Sequence, residues 1–266
     1  AEDTATFKEK VDLNIWDGTT KTAPQDLDSD DVYEITNGAE LAYVIDNNGT
    51  INNTPACSFI LTKDIYINDP SKVNWETGVA LDAEYTINSW FRYWKTGNIY
   101  HEFAGTIDGD GHVVYGLYFK SPNPNIAWGF YGEGLIPRVN LGKSVTIINL
   151  GVDYAYIYSQ NGASAFVGFA GANADAERAS VSISNCYAGE KVTLKGNDVG
   201  AFRGGVCNGN TTVTNSYSLA TLNGASTSGI VGNIWNAIKN WFKDVWDKVK
   251  AWFASIGEHL KSFFQG

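Results

Sequence analysis

The residues of this chain best suited to acid–base or metal chemistry are Asp108, Asp110 and His112, three polar groups within five residues. Two neighbouring carboxylates can act as acid and base on a glycosidic bond, or can bind Ca²⁺. The same residues also suit a tight turn, because Asp-Gly tolerates positive φ and an aspartate accepts hydrogen bonds from nearby backbone. We therefore predict a structural turn, with catalysis by these three side chains as the alternative.

A second acidic run, Asp26-Leu-Asp28-Ser-Asp30-Asp31, is spaced like the start of an EF-hand calcium loop. Its sixth position lacks the required glycine, and its twelfth position is Asn37 instead of glutamate. The run therefore predicts a solvated acidic loop, and we expect neither a metal nor another cofactor. The sequence contains no Ser-His-Asp signature, phosphate-binding loop or dinucleotide-binding motif.

Aromatic residues are concentrated in an irregular insertion at residues 75–101. Flat aromatic faces can stack on sugar rings, and this predicts a carbohydrate platform. The alternative is that the insertion folds its aromatic side chains down over one flank of the protein. The candidate ligand-binding residues are Trp90, Tyr93, Trp94 and Tyr100.

An internal repeat in the sequence predicts the secondary-structure elements that would position these candidate residues. Four-residue blocks (GFYG, AFVG, AFRG and GIVG) end in Gly132, Gly168, Gly204 and Gly232, and short β-type runs between them end in Asn149, Asn185 and Asn215. The asparagine follows its glycine after 17 residues in the first two repeats and after 11 in the third. Fixed blocks joined by one variable loop are typical of a solenoid.

Three short strands per repeat, including one near Lys191–Leu194, predict an all-β parallel β-helix in which equivalent residues stack. Ile147, Ile183 and Val213 each stand two residues before an asparagine and should form one core column. The asparagines should form a ladder of side-chain amides. Their apolar neighbours predict that these amides are buried and serve the stack, not a ligand.

These blocks resemble the GLUG-type repeats of bacterial cell-surface proteins. The nearest copy is AFVG with SISNCYA, at Ala165–Gly168 and Ser182–Ala188, followed by AFRG with TVTNSYS and by GFYG with TIINLGV. The upstream run FAGTIDGDGHVVYGLYF resembles the segment that commonly precedes such repeats. The resemblance covers about residues 16–233 and implies a right-handed parallel β-helix with an adhesin-like function and no shared catalytic motif. Its entry segment resembles those of secreted proteins of gut-type Gram-positive bacteria.

Ahead of the repeats, Asn37 and Glu40 have the spacing of a capping box, with asparagine at N-cap and glutamate at N3. A short amphipathic helix should follow through the LAYVI segment. Its position within the entry segment, residues 1–50, suggests a cap over the open end of the sheet stack, where unpaired strand edges would invite aggregation.

The β pattern stops before residues 234–266, where apolar residues recur at three- and four-residue steps, as on one face of a long amphipathic helix. We therefore expect a β-helix domain at 1–233, clearest at 129–233, and a separate C-terminal helix. The helix could fold over the last repeat, lie on a membrane surface or associate with another chain. The residues expected to make such contacts are Trp241, Phe242, Trp252 and Phe253.

The three cysteines, Cys57, Cys186 and Cys207, are odd in number and lack metal-type spacing. Cys186 occupies the position of Leu150 and Ser216 in the neighbouring repeats, so it is predicted to be a small buried side chain. A disulfide or a reactive thiol is the alternative.

Charge narrows the possible partners. The net charge is −10, and residues 1–35 carry ten acidic groups against three lysines, whereas residues 234–266 carry five lysines against three acidic groups. An acidic body disfavours binding to nucleic acid, whose phosphates are negatively charged.

We expect a secreted or cell-surface, non-enzymatic β-helix protein that binds a glycan or protein ligand. The alternatives are a carbohydrate-active lyase or glycoside hydrolase, and a membrane-associated protein anchored by its C-terminal helix. The start of the chain without methionine fits a mature secreted protein as well as a shortened one.

Overall fold

The protein has a β-rich fold with mostly parallel strand pairing. A computed structural model describes residues 13–91, 94–95, 99–121, 132–159, 162–171, 178–205, 209–226 and 229–231. These ranges contain one helix, α1 (Gly38–Asp46). In chain order the strands are β1 (Val32–Ile35), β2 (Ser58–Leu61), β3 (Ile65–Tyr66), β4 (Val73–Asn74), β5 (Val79–Ala80), β6 (Trp94–Lys95), β7 (Ile99–Tyr100), β8 (Gly105–Asp108), β9 (Val113–Tyr115), β10 (Tyr118–Ser121), β11 (Ser144–Ile148), β12 (Gly151–Asp153), β13 (Ala155–Ser159), β14 (Ser180–Ser184), β15 (Tyr187–Ala188), β16 (Val192–Lys195), β17 (Asn210–Thr214), β18 (Ser216–Ser218), β19 (Thr221–Leu222), β20 (Ala225–Ser226) and β21 (Gly229–Val231).

Three larger sheets contain most of these strands. The first has the order β1-β2-β8-β11-β14-β17, the second β21-β18-β15-β12-β9-β3 and the third β10-β13-β16-β19-β20. From β8 to β19 the chain passes through the first, second and third sheet in turn and then begins again. The end strands β20 and β21 pair antiparallel with β19 and β18.

The core is built from residues that stack between successive strands of one sheet. Ile147 is aligned with Ile183, and Ile183 with Val213, as the repeat predicts. Ile107 and Phe59 extend the same column toward the N-terminus. All of these side chains except the partly buried Val213 are fully buried, so one apolar column runs through five strands of the first sheet.

The glycine blocks bring backbones close together. A Cβ on Gly168 would lie 2.3 Å from the backbone nitrogen of Glu133, and one on Gly204 would lie 2.8 Å from that of Ala163. The second and third blocks form isolated parallel bridges instead of the predicted strands, for example between Val167 and Arg203, whereas the fourth block forms the predicted strand in β21. Only glycine permits this approach, because any side chain at these positions would meet backbone.

The predicted helix and its cap are confirmed in α1. The side-chain oxygen of Asn37 accepts hydrogen bonds from the backbone N–H groups of Ala39 and Glu40, both at 3.0 Å. The Glu40 carboxylate accepts from the backbone N–H of Thr36, one residue earlier than the expected partner. The apolar face of the helix, which includes Leu41, is buried in the core.

The sequence of residues 105–119 has the pattern of two short strands around a glycine-rich turn, and the structure departs from that pattern. It forms three strands, β8, β9 and the start of β10, which belong to three different sheets. The turn at Gly109–Gly111 is therefore a corner between sheets and not a hairpin. A hairpin and a corner between sheets use the same turn residues, so the local sequence does not distinguish them. Here β8 and β9 pair with strands of neighbouring repeats and not with each other.

Candidate ligand-binding groove

The hairpin formed by β4 and β5 packs on the outer face of the third sheet. Trp75, in its turn, is 5% exposed and clusters with Val73 and Tyr156. Tyr118 stacks on Tyr156 with ring centroids 5.8 Å apart, and its hydroxyl donates to the carbonyl oxygen of Gly78 at 3.1 Å. These contacts fix the hairpin over β10 and β13.

A cavity of about 600 Å³ opens where the hairpin ends. We call it the hairpin groove. Its floor includes Thr193 of β16 and Thr221 of β19, and its aromatic wall includes Trp75 and Tyr154. The other lining residues used below are Asn74, Glu76, Glu190, Lys191 and Lys195. A neighbouring cavity of about 470 Å³ shares Lys195 and Gly224 with the groove and continues it along the third sheet. Both volumes are ordinary for small-molecule or oligosaccharide sites.

The polar groups of the hairpin groove carry charges of both signs. Glu76, Glu190 and Lys191 are exposed at its rim. The Lys195 ammonium lies 5.2 Å above the Tyr156 ring centroid and donates to the carbonyl oxygen of Glu76 at 3.2 Å. This lysine connects the hairpin to the sheet, and it leaves the remaining polar rim open to a ligand.

Asp153 lies behind the groove at the end of β12. Its side chain accepts hydrogen bonds from the backbone N–H groups of Tyr154 at 2.8 Å and Lys191 at 3.2 Å. Burial raises the pKa of the Asp153 carboxyl, and the neighbouring Glu190 adds to the shift. These hydrogen bonds hold Tyr154 and Lys191, both of which line the groove, in fixed positions relative to the second sheet.

Asp108 and His112, two of the three candidate catalytic residues, have side chains that contact other groups of the fold. The third candidate, Asp110, contributes its backbone N–H. Asp108 accepts from the backbone N–H of Asp110 at 2.8 Å and from the Asn149 side-chain amide at 3.0 Å. His112 instead has its Nδ1 3.3 Å from the carboxylate of Asp64, which precedes β3. The contacts give Asp108 the predicted turn role, and they direct His112 toward a different carboxylate.

The asparagine ladder is present at Asn149 and Asn185. The side-chain amide of Asn185 donates to the Asn149 side-chain oxygen at 3.0 Å, and that of Asn149 donates to Asp108. The predicted burial is wrong, because Asn149 is only partly buried and both Asn185 and Asn215 are exposed. Each asparagine follows a strand of the first sheet, at the corner where the chain turns toward the second sheet. The φ values there are 49–55°.

The acidic run forms an exposed loop before β1. The carboxylates of Asp26, Asp28 and Glu34 lie within 4.8 Å of one another. Asp26 accepts backbone hydrogen bonds from Ser29, Asp30 and Asp31, so its side chain shapes the loop. Repulsion from Asp30 raises the pKa of Asp28.

Only part of the predicted aromatic platform falls within the described residues. Trp90 is 3% exposed, its indole N–H donates to the Leu135 carbonyl oxygen at 3.0 Å, and its ring packs edge-on against Trp16. This burial contradicts a ligand-stacking role for Trp90. The backbones of Trp94 and Tyr100 pair in the short β6–β7 hairpin. Tyr93 and the C-terminal residues Trp241, Phe242, Trp252 and Phe253 lie outside the described residues.

The sequence prediction missed the hairpin groove. Trp75 marks the start of the predicted aromatic insertion, but its burial beside Tyr156 depends on contacts across about eighty residues of sequence. The one local signal was Asn74-Trp-Glu-Thr-Gly78, a turn-forming run between two apolar positions.

No family model, curated protein or solved structure matches this chain. Within the described ranges, no helix is both long enough and apolar enough to cross a bilayer.

Proposed function

We propose that the three sheets are the faces of a right-handed parallel β-helix with GLUG-type repeats, and that the protein binds a glycan in the hairpin groove without cleaving it. The fixed order in which the chain visits the sheets supports the β-helix. Right-handedness is the usual sense of a connection between parallel strands of one sheet. A secreted or cell-surface location and a bacterial origin belong to the same proposal, and they rest on the resemblance of the repeats.

The observation that carries the binding function is the composition of the hairpin groove. Its floor offers the hydroxyl of the partly buried Thr221, and its exposed rim offers carboxylates and an ammonium, all of which can hydrogen-bond to sugar hydroxyls. Thr193 lies below them and is buried. Tyr154, which is only partly buried, supplies an aromatic face, and the buried Trp75 packs against it and holds it in place. A protein partner would need a larger surface with a desolvated apolar centre, whereas this groove is open, and polar and apolar groups share its lining about equally.

Binding without cleavage is favoured because the strongest sequence candidate for catalysis, Asp108, is engaged by the backbone of Asp110 and by the Asn149 amide. Cleavage by a lyase or hydrolase remains the alternative activity to test. Association of residues 234–266 with a membrane surface or with a second chain is a separate proposal.

The test is a glycan array followed by calorimetric titration of the full chain. Thr221→Val removes a hydroxyl from the groove floor with little change in volume, and Glu190→Gln removes a rim charge. Their controls are Thr212→Val and Glu84→Gln, exposed positions elsewhere on the protein. We expect the groove variants to weaken binding and the controls to leave it unchanged. Equal binding by all four variants would reject the groove, and release of reducing ends would indicate the enzymatic alternative.

A further inference from the structure

Four tyrosine side chains, which we call the tyrosine column, follow the outer face of the second sheet: Tyr66, Tyr115, Tyr187 and Tyr217. Their strand neighbours such as Val114 point into the core, so the tyrosines point outward. Tyr66 stacks on Tyr115 at 4.9 Å between ring centroids, and Tyr187 stacks on Tyr217 at 5.3 Å. None of the four is buried, and Tyr217 is 39% exposed.

The two stacked pairs meet at β12, which carries no tyrosine within the strand. Tyr187 is aligned with Gly151, and a Cβ on that glycine would lie 2.6 Å from the Tyr187 ring. Tyr115 is aligned with Asp153 two residues further on. The glycine therefore lets the Tyr187 ring lie flat against the sheet, and the column continues as an even surface.

Tyr154 connects this column to the hairpin groove. Its ring meets the edge of Tyr115 at 6.1 Å and that of Trp75 at 6.4 Å between centroids. Its backbone has φ of 50°, a conformation that a bulky residue rarely adopts. The corner one repeat earlier is Gly116, with φ of 80°. A tyrosine kept where glycine would be unstrained points to a role for the side chain, because strained residues concentrate at functional sites.

We propose that the ligand is an extended, neutral polysaccharide that leaves the hairpin groove at Tyr154 and continues along the tyrosine column. This inference rests on the proposed function and extends the same site. The column region contains five parallel strands of the second sheet, which span roughly 19 Å at about 4.8 Å per strand spacing. Tyr154 follows β12, the middle strand of the five, so the column extends roughly 10 Å to either side of it. A surface of that length suits a chain of sugars and exceeds the size of a single ring.

The charges beside the column argue for a neutral chain. Asp64 and Asp153 flank it, and they add to the effect of burial in raising the pKa of Tyr115 to about 12. In the groove, Glu76 and Glu190 are matched by Lys191 and Lys195. A polyuronate would therefore meet carboxylates of its own charge along the column, whereas a neutral polysaccharide would meet hydrogen-bond acceptors.

The test is calorimetric titration of the full chain with neutral glucan, mannan and xylan oligosaccharides of increasing length, and with galacturonate oligosaccharides of matched length. The variants are Tyr187→Ala, Tyr217→Ala and Tyr154→Gly, with Tyr187→Phe as a control that keeps the ring. Tyr154→Gly copies the corner at Gly116, so the fold should tolerate it. Circular dichroism and urea unfolding check that each variant is folded.

We expect affinity for one neutral series to rise with chain length beyond what fills the groove. The Tyr187→Ala and Tyr217→Ala variants should lose up to roughly tenfold in affinity for long chains, the effect of losing one stacking ring, and should bind short chains normally. Tyr154→Gly also removes part of the groove wall, so it should weaken the binding of short and long chains alike. Length-independent binding, unchanged binding by the column variants or preferred binding of galacturonates would each overturn the inference while leaving the groove in place. A wild-type chain that binds no oligosaccharide would overturn the proposed function, and the inference with it.

Discussion

The side-chain amide of Asn185 donates a hydrogen bond to the side-chain oxygen of Asn149 at 3.0 Å. Asn149 in turn donates to Asp108, so one line of amide and carboxylate groups joins three successive repeats. Asn149 and Asn185 also adopt positive φ, which asparagine tolerates better than other non-glycine residues. The ladder therefore serves two purposes, because it turns the chain between sheets and it ties adjacent repeats together.

Replacing Asn149 by alanine should destabilise the protein by about 2–3 kcal/mol. The variant loses two side-chain hydrogen bonds at about 1 kcal/mol each and places alanine in the left-handed region at a cost of about 1 kcal/mol. Asn149→Gly loses the same hydrogen bonds without the conformational cost, so it should be the less destabilised of the two. Urea unfolding measures both differences, and wild-type stability in both variants would show that the ladder contributes nothing.

Asp153→Asn should stabilise the protein at neutral pH. Burial raises the folded-state pKa of Asp153 above the ordinary value of 3.8, so the folded protein binds this proton more tightly than the unfolded chain does. The resulting penalty on the wild type is absent below pH 3.8, grows as the pH rises through the raised pKa and is constant above it. Asparagine avoids the penalty and retains an acceptor for Tyr154 and Lys191.

Unfolding free energies of the wild type and Asp153→Asn, measured across the acidic range, should therefore converge as the pH falls. A wild type that is more stable than the variant at neutral pH would mean that its two backbone hydrogen bonds outweigh the cost of burying the charge.

Gly151→Ala should displace the Tyr187 ring, because the new Cβ would lie 2.6 Å from it. We expect a loss of about 1–2 kcal/mol in stability, typical of overpacking, together with weaker binding of long oligosaccharides. Tyr187→Ala supplies the control, since the same glycine substitution should cost less in that background. Urea unfolding of the four proteins completes the cycle, and a cost that does not depend on Tyr187 would contradict the contact.

Cys186 should resist thiol reagents until the protein unfolds. It is buried as a free thiol, and burial raises its pKa to about 11, which suppresses the reactive thiolate. Mass spectrometry of peptides alkylated at mildly alkaline pH should find Cys186 modified only in denaturant. Cys186→Ser should be well tolerated, because Ser216 makes the equivalent bond to a carbonyl oxygen two residues back in the next repeat. Rapid native labelling would contradict the buried position.

Trp90→Ala should act on stability and not directly on ligand binding. Removing a buried aromatic side chain typically costs about 3–5 kcal/mol. Trp90→Phe keeps most of the packing but loses the hydrogen bond to Leu135, and it should therefore be much less affected. Thermal unfolding ranks the variants, and titration of folded Trp90→Phe should give wild-type affinity. A selective loss of affinity in that variant would restore the sequence prediction.

Residues whose partners recur at equivalent places in the repeat could be predicted from the sequence. The alignment of Ile147, Ile183 and Val213, the strand at Val192–Lys195 and the burial of Cys186 all follow from comparing one repeat with the next. The Asn37 cap follows from local chemistry alone. The β-rich, mostly parallel architecture is confirmed on the same basis.

The hairpin groove could not be predicted in the same way, because one side of it is the β4–β5 hairpin, which lies outside the repeats. Lys195 meets the carbonyl of Glu76 across 119 residues, and no periodic pattern connects the two. The role of Tyr154 could not be predicted for another reason. In the sequence it looks like an ordinary strand tyrosine, and its positive φ is visible only in the structure. The burial of Trp90 likewise depends on packing against Trp16, which lies outside every repeat.

The order in which the chain visits its three sheets also determines how the protein should respond to mechanical force. Apart from the antiparallel end pairs β18–β21 and β19–β20, the described strands of the repeats pair with strands one circuit before or after them, so a pull on the C-terminal side loads one circuit at a time. Asn149 to Asn185 spans 36 residues and Asn185 to Asn215 spans 30. At about 3.5 Å per extended residue, each released circuit lengthens the chain by roughly 100–130 Å. The protein would therefore yield in discrete steps under tension, and the hairpin groove, which uses strands of the last two circuits, would open before the N-terminal core.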